Sequence, residues 1–166
     1  DSVAAIPTNS WTHVAGTWKA GEGIKVYING RLDSTQLDAG LGAFTSDVAY
    51  AVCLGSSGMG PGTNTFNGGL DEIAVYGREL SSSEIAALHA AGSAGKEPSQ
   101  CAPPPANLVA WWPGEGDGRD LAGFSDGTLE NGAVCVEGLV GQAFSFDGVN
   151  DCLAVPDSAL MRPTNL

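Results

Sequence analysis

Hydrophobic and polar residues alternate along several short segments of the chain, and this two-residue period indicates β-strands with one buried face. The segment "WTHVAGTW" has this pattern, and so does "GIKVYINGRLDS", in which Ile24, Val26 and Ile28 share one face. Asn29 and Gly30 follow at once, and an Asn-Gly pair favours a two-residue type I′ turn because both positions need a positive φ. The pattern predicts a β-hairpin at this point.

One segment has the features of a helix instead. Ser81 is a favourable N-cap, Glu84 stands three positions later to complete a capping box, and Gly92 supplies a stop. Ile85 and Leu88 are predicted to face inward. The sequence therefore predicts one short helix after a run of strands.

A Pro-rich segment divides the chain. Residues 93–106, "SAGKEPSQCAPPPA", break every periodicity, and consecutive prolines hold an extended conformation. Beyond this segment, "NLVAWWPG", "GAVCVEG" and "GQAFSFDGVNDCLAVPDS" again have the pattern of strands. We predict an all-β protein with one short helix, organised as residues 1–92, a linker over residues 93–106, and residues 107–166.

Charge and composition exclude several partners. The chain has 7 Lys and Arg against 19 Asp and Glu, a formal net charge of -12, so nucleic acid and anionic membrane surfaces would repel it. No apolar run approaches the roughly 18 residues that cross a bilayer, and the first residues have neither a basic nor an apolar signal-peptide region. Four cysteines without a C-x-x-C pair favour an oxidising compartment over a zinc site. We expect a secreted or cell-surface protein.

The order of motifs resembles a known family. The series "SWTHVAGTW…GIKVYINGR…LGSSG…FNGGLDEIAVYGRELSSSEIAALHAAG" is similar to the C-terminal half of a laminin-G-like domain, of the type found in tandem in bacterial extracellular proteins. The stretch "NLVAWWPGEGDGRDLAGFSDGTLENGAVCVEGLVGQAFSFDGVNDCLAVPDS" resembles the N-terminal half of the same family. The resemblance implies a concanavalin A-like, pentraxin-related jelly-roll β-sandwich.

The two halves stand in reverse order compared with the family. The chain is therefore either a window of a tandem array, with the C-terminal half of one copy before the N-terminal half of the next, or a permuted domain in which residues 107–166 pack on residues 1–92. The family's middle strands are missing in both cases. An incomplete sandwich would expose edge strands and part of its core, which favours completion by a second chain or by further sequence.

Two adjacent carboxylates, Asp71 and Glu72, lie on a predicted strand before the helix. Some concanavalin A-like folds are glucanases, and glycoside hydrolysis needs two carboxylates about 5–5.5 Å or about 6.5–9.5 Å apart, on alternate positions of a strand. Glu72 points away from the face of Asp71, and the required glutamates are absent. His13 has no serine or cysteine nucleophile motif beside it. We expect no enzymatic activity, and we interpret the carboxylates as groups that cap backbone amides or bind a metal.

The resemblance also implies a metal, because the family often binds structural calcium. Calcium takes about six to eight oxygen ligands in irregular loop geometry, and the loop "DLAGFSDGTLENG" offers such oxygens. The predicted calcium ligands are Asp120, Asp126 and Asn131, with Asp71 brought alongside.

A second polar stretch, "FDGVNDCLAVPD", carries Asp147, Asn150 and Asp151 around a turn. These side chains either satisfy their own backbone, as in Asx turns, or contact a second cation or a sugar. Adjacent Trp111 and Trp112 must point to opposite faces of a strand, so at most one is expected in the core. The other, which we take to be Trp111, is a candidate for stacking on a sugar ring.

The cysteine pairing rests on the resemblance as well. In the family the segments that hold Cys135 and Cys152 lie on neighbouring strands, and both thiols should project from the face opposite the apolar one. A Cys135–Cys152 disulfide is therefore predicted, which leaves Cys53 and Cys101 as a second pair or as links between subunits. Free buried thiols are the alternative.

These expectations lead to two functions. The first is a non-catalytic extracellular module that binds carbohydrate or a cell-surface polymer, with structural calcium in its loops. The second is a structural repeat that self-associates into an extracellular filament or adhesive array by sharing strands between subunits.

Overall fold

The structure is a computed structural model that describes residues 3–37, 52–56, 64–94 and 104–158. In these segments the chain forms strands, one α-helix and one 3₁₀ turn. They are β1 Val14–Lys19, β2 Gly23–Ile28, β3 Arg31–Gln36, β4 Val52–Leu54, β5 Asn67–Leu70, β6 Ile73–Tyr76, α1 Ser82–Ala91, the 3₁₀ turn Gly92–Ala94, β7 Leu108–Trp112, β8 Thr128–Glu130, β9 Val134–Glu137, β10 Gln142–Asp147 and β11 Cys152–Val155. The predicted all-β class with one short helix is confirmed.

The chain divides into two compact units. The first contains β1, β2, β3 and α1, and the second contains β4, β5, most of β6, and β7 to β11. In the segments that the structure describes, no helix is long and apolar enough to cross a membrane.

The first unit is built on an antiparallel sheet of order β1-β2-β3. Asn29 and Gly30 connect β2 to β3 with φ values of 49° and 73°, which confirms the predicted hairpin turn. The side chain that the unit buries most deeply on this hairpin is Tyr27, at 2% exposure, which packs in a cluster with Leu80 and Ile85. Alternation puts Tyr27 on the face opposite Ile24, Val26 and Ile28.

The helix begins and ends where the sequence predicts. The Ser81 side chain accepts a hydrogen bond from the Glu84 N–H at 3.3 Å, and the Glu84 carboxylate accepts one from the Ser81 N–H at 2.8 Å. Gly92 ends the helix with φ 54°. Arg78 adds a hydrogen bond of 3.0 Å from its guanidinium to Glu84. The capping box is confirmed.

The second unit is a sandwich of two antiparallel sheets, β5-β10-β9 and β4-β11-β8, with the pair β6-β7 beside them. Its core contains Phe144 and Phe146 from β10, Leu153 and Val155 from β11, and Trp112 from β7. Burial of these large side chains is the main stabilising contribution, at roughly 1.5–3 kcal/mol for each aliphatic or phenyl group.

Strands from both sides of the predicted linker pair with each other in this unit. Residues 67–70 of β5 pair with β10, and residues 52–54 of β4 pair with β11. Segments of the two predicted half-domains therefore share sheets within one chain. Most of the linker, including Cys101, lies outside the described residues.

The prediction that Cys135 and Cys152 lie on neighbouring strands is wrong. Cys135 is on β9, which pairs with β10, whereas Cys152 is on β11, which pairs with β4 and β8. Cys135 stands opposite the fully buried Phe144, and residues directly opposite share a face, so its side chain packs toward the core. Val134 and Val136 are the exposed residues of this strand, at 51% and 42%. The thiols of Cys135 and Cys152 are not joined.

Candidate functional site

The predicted calcium loop is organised around Asp120, which is 2% exposed. Its Oδ1 accepts hydrogen bonds from the N–H groups of Trp111 and Ala122, both at 2.8 Å. Its Oδ2 accepts bonds from the N–H groups of Phe124 at 3.2 Å and Ser125 at 3.0 Å. One carboxylate thus satisfies four backbone donors, one at the end of β7 and three in the loop that follows it. Its geometry is that of a cap.

The other predicted metal ligands also hold backbone groups. Asp126 accepts a hydrogen bond from the Asp120 N–H at 2.8 Å, and the amide of Asn131 donates to the Asn150 carbonyl at 3.0 Å. In the described residues, no three His, Cys, Asp or Glu side chains lie together in a way that could hold a metal ion. The structure does not bring the predicted acidic ligands into one cluster.

Asp71 and Glu72 do not lie on one strand, which corrects the sequence interpretation. They stand between β5 and β6, and Glu72 has a positive φ of 55° that ends the extended backbone. The Asp71 Oδ2 accepts hydrogen bonds from the N–H groups of Leu139 at 2.9 Å and Val140 at 2.8 Å. Burial raises the pKa of the Asp71 carboxyl, and these two donors act in the opposite direction. Asp71 organises the turn between β9 and β10.

The turn between β10 and β11 holds the remaining predicted ligand contacts. The Asp147 Oδ1 accepts a hydrogen bond from the Val149 N–H at 2.7 Å, and the Asp147 N–H donates to the Asp151 Oδ2 at 2.9 Å. This is the geometry of an Asx turn. Asp151 is 4% exposed, and its buried Oδ1 has no hydrogen-bond partner among the described residues. Among the described residues of this turn, that oxygen is a buried acceptor with capacity for a further donor or cation.

Both adjacent tryptophans are buried, which corrects the expectation that at most one would be. Trp111 is 7% exposed and Trp112 is fully buried. The loop after β7 folds back on the strand, because the Leu121 N–H donates to the Trp111 carbonyl and the Trp112 indole N–H donates to the Ser125 carbonyl, both at 2.8 Å. Little of the Trp111 ring is left for stacking on a sugar.

The first unit contains a groove that the sequence analysis missed. Its volume is about 720 Å³, and it runs between α1 and the β2-β3 hairpin. We call it the helix–hairpin groove. It is lined by Ala4, Ile28, Asn29, Gly30, Arg31, Leu32, Asp33, Ala86 and His89.

Local sequence chemistry explains the shape of the helix–hairpin groove. Gly30 has φ 73°, and a Cβ at this position would lie 3.0 Å from the Cβ of His89, so only glycine allows the hairpin to approach α1 so closely. The ring of His89 lies 5.7 Å from that of His13, measured between centroids. Asp33 accepts hydrogen bonds from the N–H groups of Val3 at 2.6 Å and Ala4 at 2.8 Å, which fixes one end of the groove.

Chemically, the groove combines a guanidinium, an imidazole, an amide and a carboxylate with aliphatic side chains. Such a surface can exchange hydrogen bonds with hydroxyl groups and also contact the apolar face of a ligand. The only sequence signal was the Asn-Gly turn, because Gly30 and His89 are far apart in the sequence and are brought together only by tertiary packing.

Comparison with known proteins adds a family and two relatives. A family model described as the concanavalin A-like lectin/glucanases superfamily matches residues 1–86. The human Adhesion G-protein coupled receptor D1 is 34% identical over 80 residues, which are 48% of this chain and 9% of the receptor. The bovine receptor of the same name is 30% identical over 103 residues, 62% of this chain and 11% of the receptor. The matches thus span about a tenth of these relatives. No solved structure matches the chain significantly.

Proposed function

Because the chain belongs to the concanavalin A-like lectin/glucanases superfamily, we propose that it is a non-catalytic extracellular module that binds carbohydrate or another surface ligand. The relatives are adhesion receptors by name, which supports a secreted or cell-surface location and an adhesive role. In the second unit the Asp71 carboxylate accepts hydrogen bonds from two backbone amides, which supports a capping role and favours the interpretation without catalysis.

The helix–hairpin groove is the observation on which the ligand proposal rests. Its volume of about 720 Å³ is within the usual range for ligand sites, about 300–1,000 Å³. Arg31 and His89 supply donors at its rim, while Ile28 and Ala86 supply apolar surface. Sugars present both hydroxyl groups and apolar C–H faces, so this mixture suits a neutral glycan better than a purely ionic ligand.

A glycan array with matched variants tests this proposal. Arg31→Ala and His89→Ala should each weaken binding of the selected glycan at least about tenfold, the effect of losing a hydrogen bond of roughly 1.4 kcal/mol. Arg119→Ala is the control, because it removes the same charge from the second unit, where the side chain is 67% exposed. Equal binding by all three variants and the parent chain would contradict a ligand in the groove.

The loops of the second unit remain a separate prediction for ligand contacts. Asp147, Asn150 and Asp151 line one turn, and Trp111 lies in the same unit. Asn150→Ala and Asp147→Asn belong on the same array, since a loss of binding restricted to these variants would place the ligand on the second unit instead.

Calcium also stays a prediction. Support comes from the buried Asp151 Oδ1, which lacks a partner among the described residues, whereas Asp120 already accepts four amide hydrogen bonds. A hard cation next to Asp151 would take further oxygens from Asn131 or from backbone carbonyls. The melting temperature in calcium should exceed that in chelator, and identical temperatures would remove the metal from the proposal.

Self-association is the second proposed function. Val134 and Val136 of β9 are exposed at 51% and 42%, and an apolar stripe on a strand favours pairing with another copy. Light scattering should then show particles larger than one chain, and the Val136→Lys variant should be monomeric. A monomer at high concentration would exclude the filament.

A further inference from the structure

Two cysteines that the sequence analysis did not pair meet on one face of the sheet β4-β11-β8. In the ladder between β4 and β11, Cys53 stands directly opposite Ala154. Cys152 is two residues before Ala154 on the same strand, so it points to the same face as Cys53 and is its diagonal neighbour. The two thiols are close enough to form a side-chain hydrogen bond.

We propose that Cys53 and Cys152 form a disulfide bond in the extracellular protein, which links β4 to β11. The bond requires an S–S distance of about 2.05 Å, which two diagonal side chains on the same face can reach by side-chain rotation and a small shift of the three-residue strand β4. The assignment replaces the pairs expected from the family resemblance. The proposed bond is independent of the ligand-binding proposal, and it requires only that the protein is in an oxidising compartment.

The surroundings of Cys135 support this assignment. Cys135 packs against the core from β9, while Cys152 points to the outer face of the other sheet. A bond between Cys135 and Cys152 would have to pass through the core that contains Phe144 and Leu153. Among the described cysteines, Cys53 is therefore the one that Cys152 can reach.

The oxidation can be written as two thiol–disulfide exchanges with a small-molecule disulfide such as oxidised glutathione. The half-buried Cys53 is the more accessible thiol, so it attacks first as a thiolate, forms a mixed disulfide and releases one molecule of glutathione. Cys152 then loses its proton to water, attacks the Cys53 sulfur and releases the second molecule. Two electrons and two protons leave the protein, and oxidised glutathione becomes two thiols.

The second step is expected to be the slow one. Cys152 is 6% exposed, and burial, together with the neighbouring Cys53 and Glu130, raises the pKa of its thiol to about 11. Its thiolate is therefore scarce at neutral pH. Oxidation should accelerate as the pH rises, and the mixed disulfide on Cys53 should be the intermediate that accumulates.

Peptide mapping tests the assignment directly. The reduced 166-residue chain is incubated with oxidised glutathione, free thiols are alkylated, and the digest is analysed by mass spectrometry without reductant. We expect one peptide pair that joins Cys53 to Cys152. Alkylation of both residues after full oxidation, or a link from Cys152 to Cys135 or from Cys53 to Cys101, would overturn the proposal.

Two variants and a melting curve complete the test. Cys135→Ser should keep the Cys53–Cys152 link, whereas Cys53→Ser should leave Cys152 alkylated. The oxidised parent chain should melt about 5–15 °C above the reduced chain, since the bond closes a loop of about 100 residues, and Cys53→Ser should show no such redox dependence. A mapped link that leaves the melting temperature unchanged would rule out a bond in the native sheet.

Discussion

Replacing Asp120 with alanine should destabilise the second unit by about 3–5 kcal/mol. The side chain is 2% exposed and accepts four backbone N–H bonds. Two of these donors belong to the buried residues Trp111 and Ser125, where water cannot easily take over, and each stranded buried N–H costs about 1–3 kcal/mol. The donors of Ala122 and Phe124 are less deeply buried and should lose less. Removing a buried charge also removes its desolvation penalty. This gain offsets part of the loss of the four hydrogen bonds and brings the net destabilisation to the range given above.

Urea unfolding followed by tryptophan fluorescence measures this loss. Trp111 and Trp112 are buried in the second unit and change environment when it unfolds, whereas Trp11 and Trp18 belong to the first unit. Because two units can unfold in separate transitions, the curves are fitted with one midpoint for each.

Asp117→Ala is the matched control for the same loop. Asp117 is 58% exposed, accepts a bond from the Arg119 N–H at 3.0 Å and forms an ion pair with the Arg119 guanidinium at 3.5 Å. Its loss should cost less than about 1 kcal/mol, because an exposed pair is screened by water. Equal losses for the two variants would refute the reasoning that Asp120 holds the loop through its amides.

The same experiment separates capping from calcium binding at Asp120. If amide capping is its role, the loss caused by Asp120→Ala should be equal in calcium and in chelator. If the destabilisation caused by Asp120→Ala is smaller in chelator than in calcium, Asp120 is a calcium ligand. In that case the parent chain also loses the stabilisation by the ion when the ion is removed.

Three further changes test the first unit. Ser81→Ala should lower its stability by about 1 kcal/mol in urea unfolding, because it removes the acceptor for the Glu84 N–H at the helix start. The Arg78 guanidinium and the Ser81 donors lower the pKa of Glu84 from 4.5 to about 2. The stabilisation of the first unit by ionised Glu84 should therefore be complete above pH 4.5 and be lost as the pH falls through 2. Glu84→Gln should remove this pH dependence. Gly30→Ala should cost about 1–3 kcal/mol, because φ is 73° and the new Cβ would meet His89 at 3.0 Å, and an unchanged urea midpoint would show that the hairpin relaxes away from α1.

Local structure was predictable because its causes are local. The Asn29-Gly30 turn depends on two adjacent residues, and the helix start depends on Ser81 and Glu84, three positions apart. Each signal lies within one turn of the chain, so no knowledge of distant strands was needed. The hairpin turn and both ends of the helix were therefore predicted correctly.

Faces and partners were not predictable to the same extent. Alternation shows that Cys135 and Val134 point to opposite faces, but only the pairing with β10 shows that Cys135 is on the inner one. The position of Cys53 next to Cys152 depends on a register between strands about 100 residues apart, and the helix–hairpin groove depends on how α1 packs. None of this information is local.

The acidic composition has a structural cause that the net charge of -12 conceals. In the second unit, carboxylates in the loops accept hydrogen bonds from backbone N–H groups that no strand partner satisfies. They are Asp71, Asp120, Asp126, Asp147 and Asp151. Short strands leave many such donors, and aspartate is the acidic side chain short enough to reach them within a turn. Clustered aspartates in a β-sandwich of this kind therefore indicate loop construction before they indicate a cation. Because these oxygens already accept hydrogen bonds from the backbone, their number alone does not indicate a cation site in the second unit.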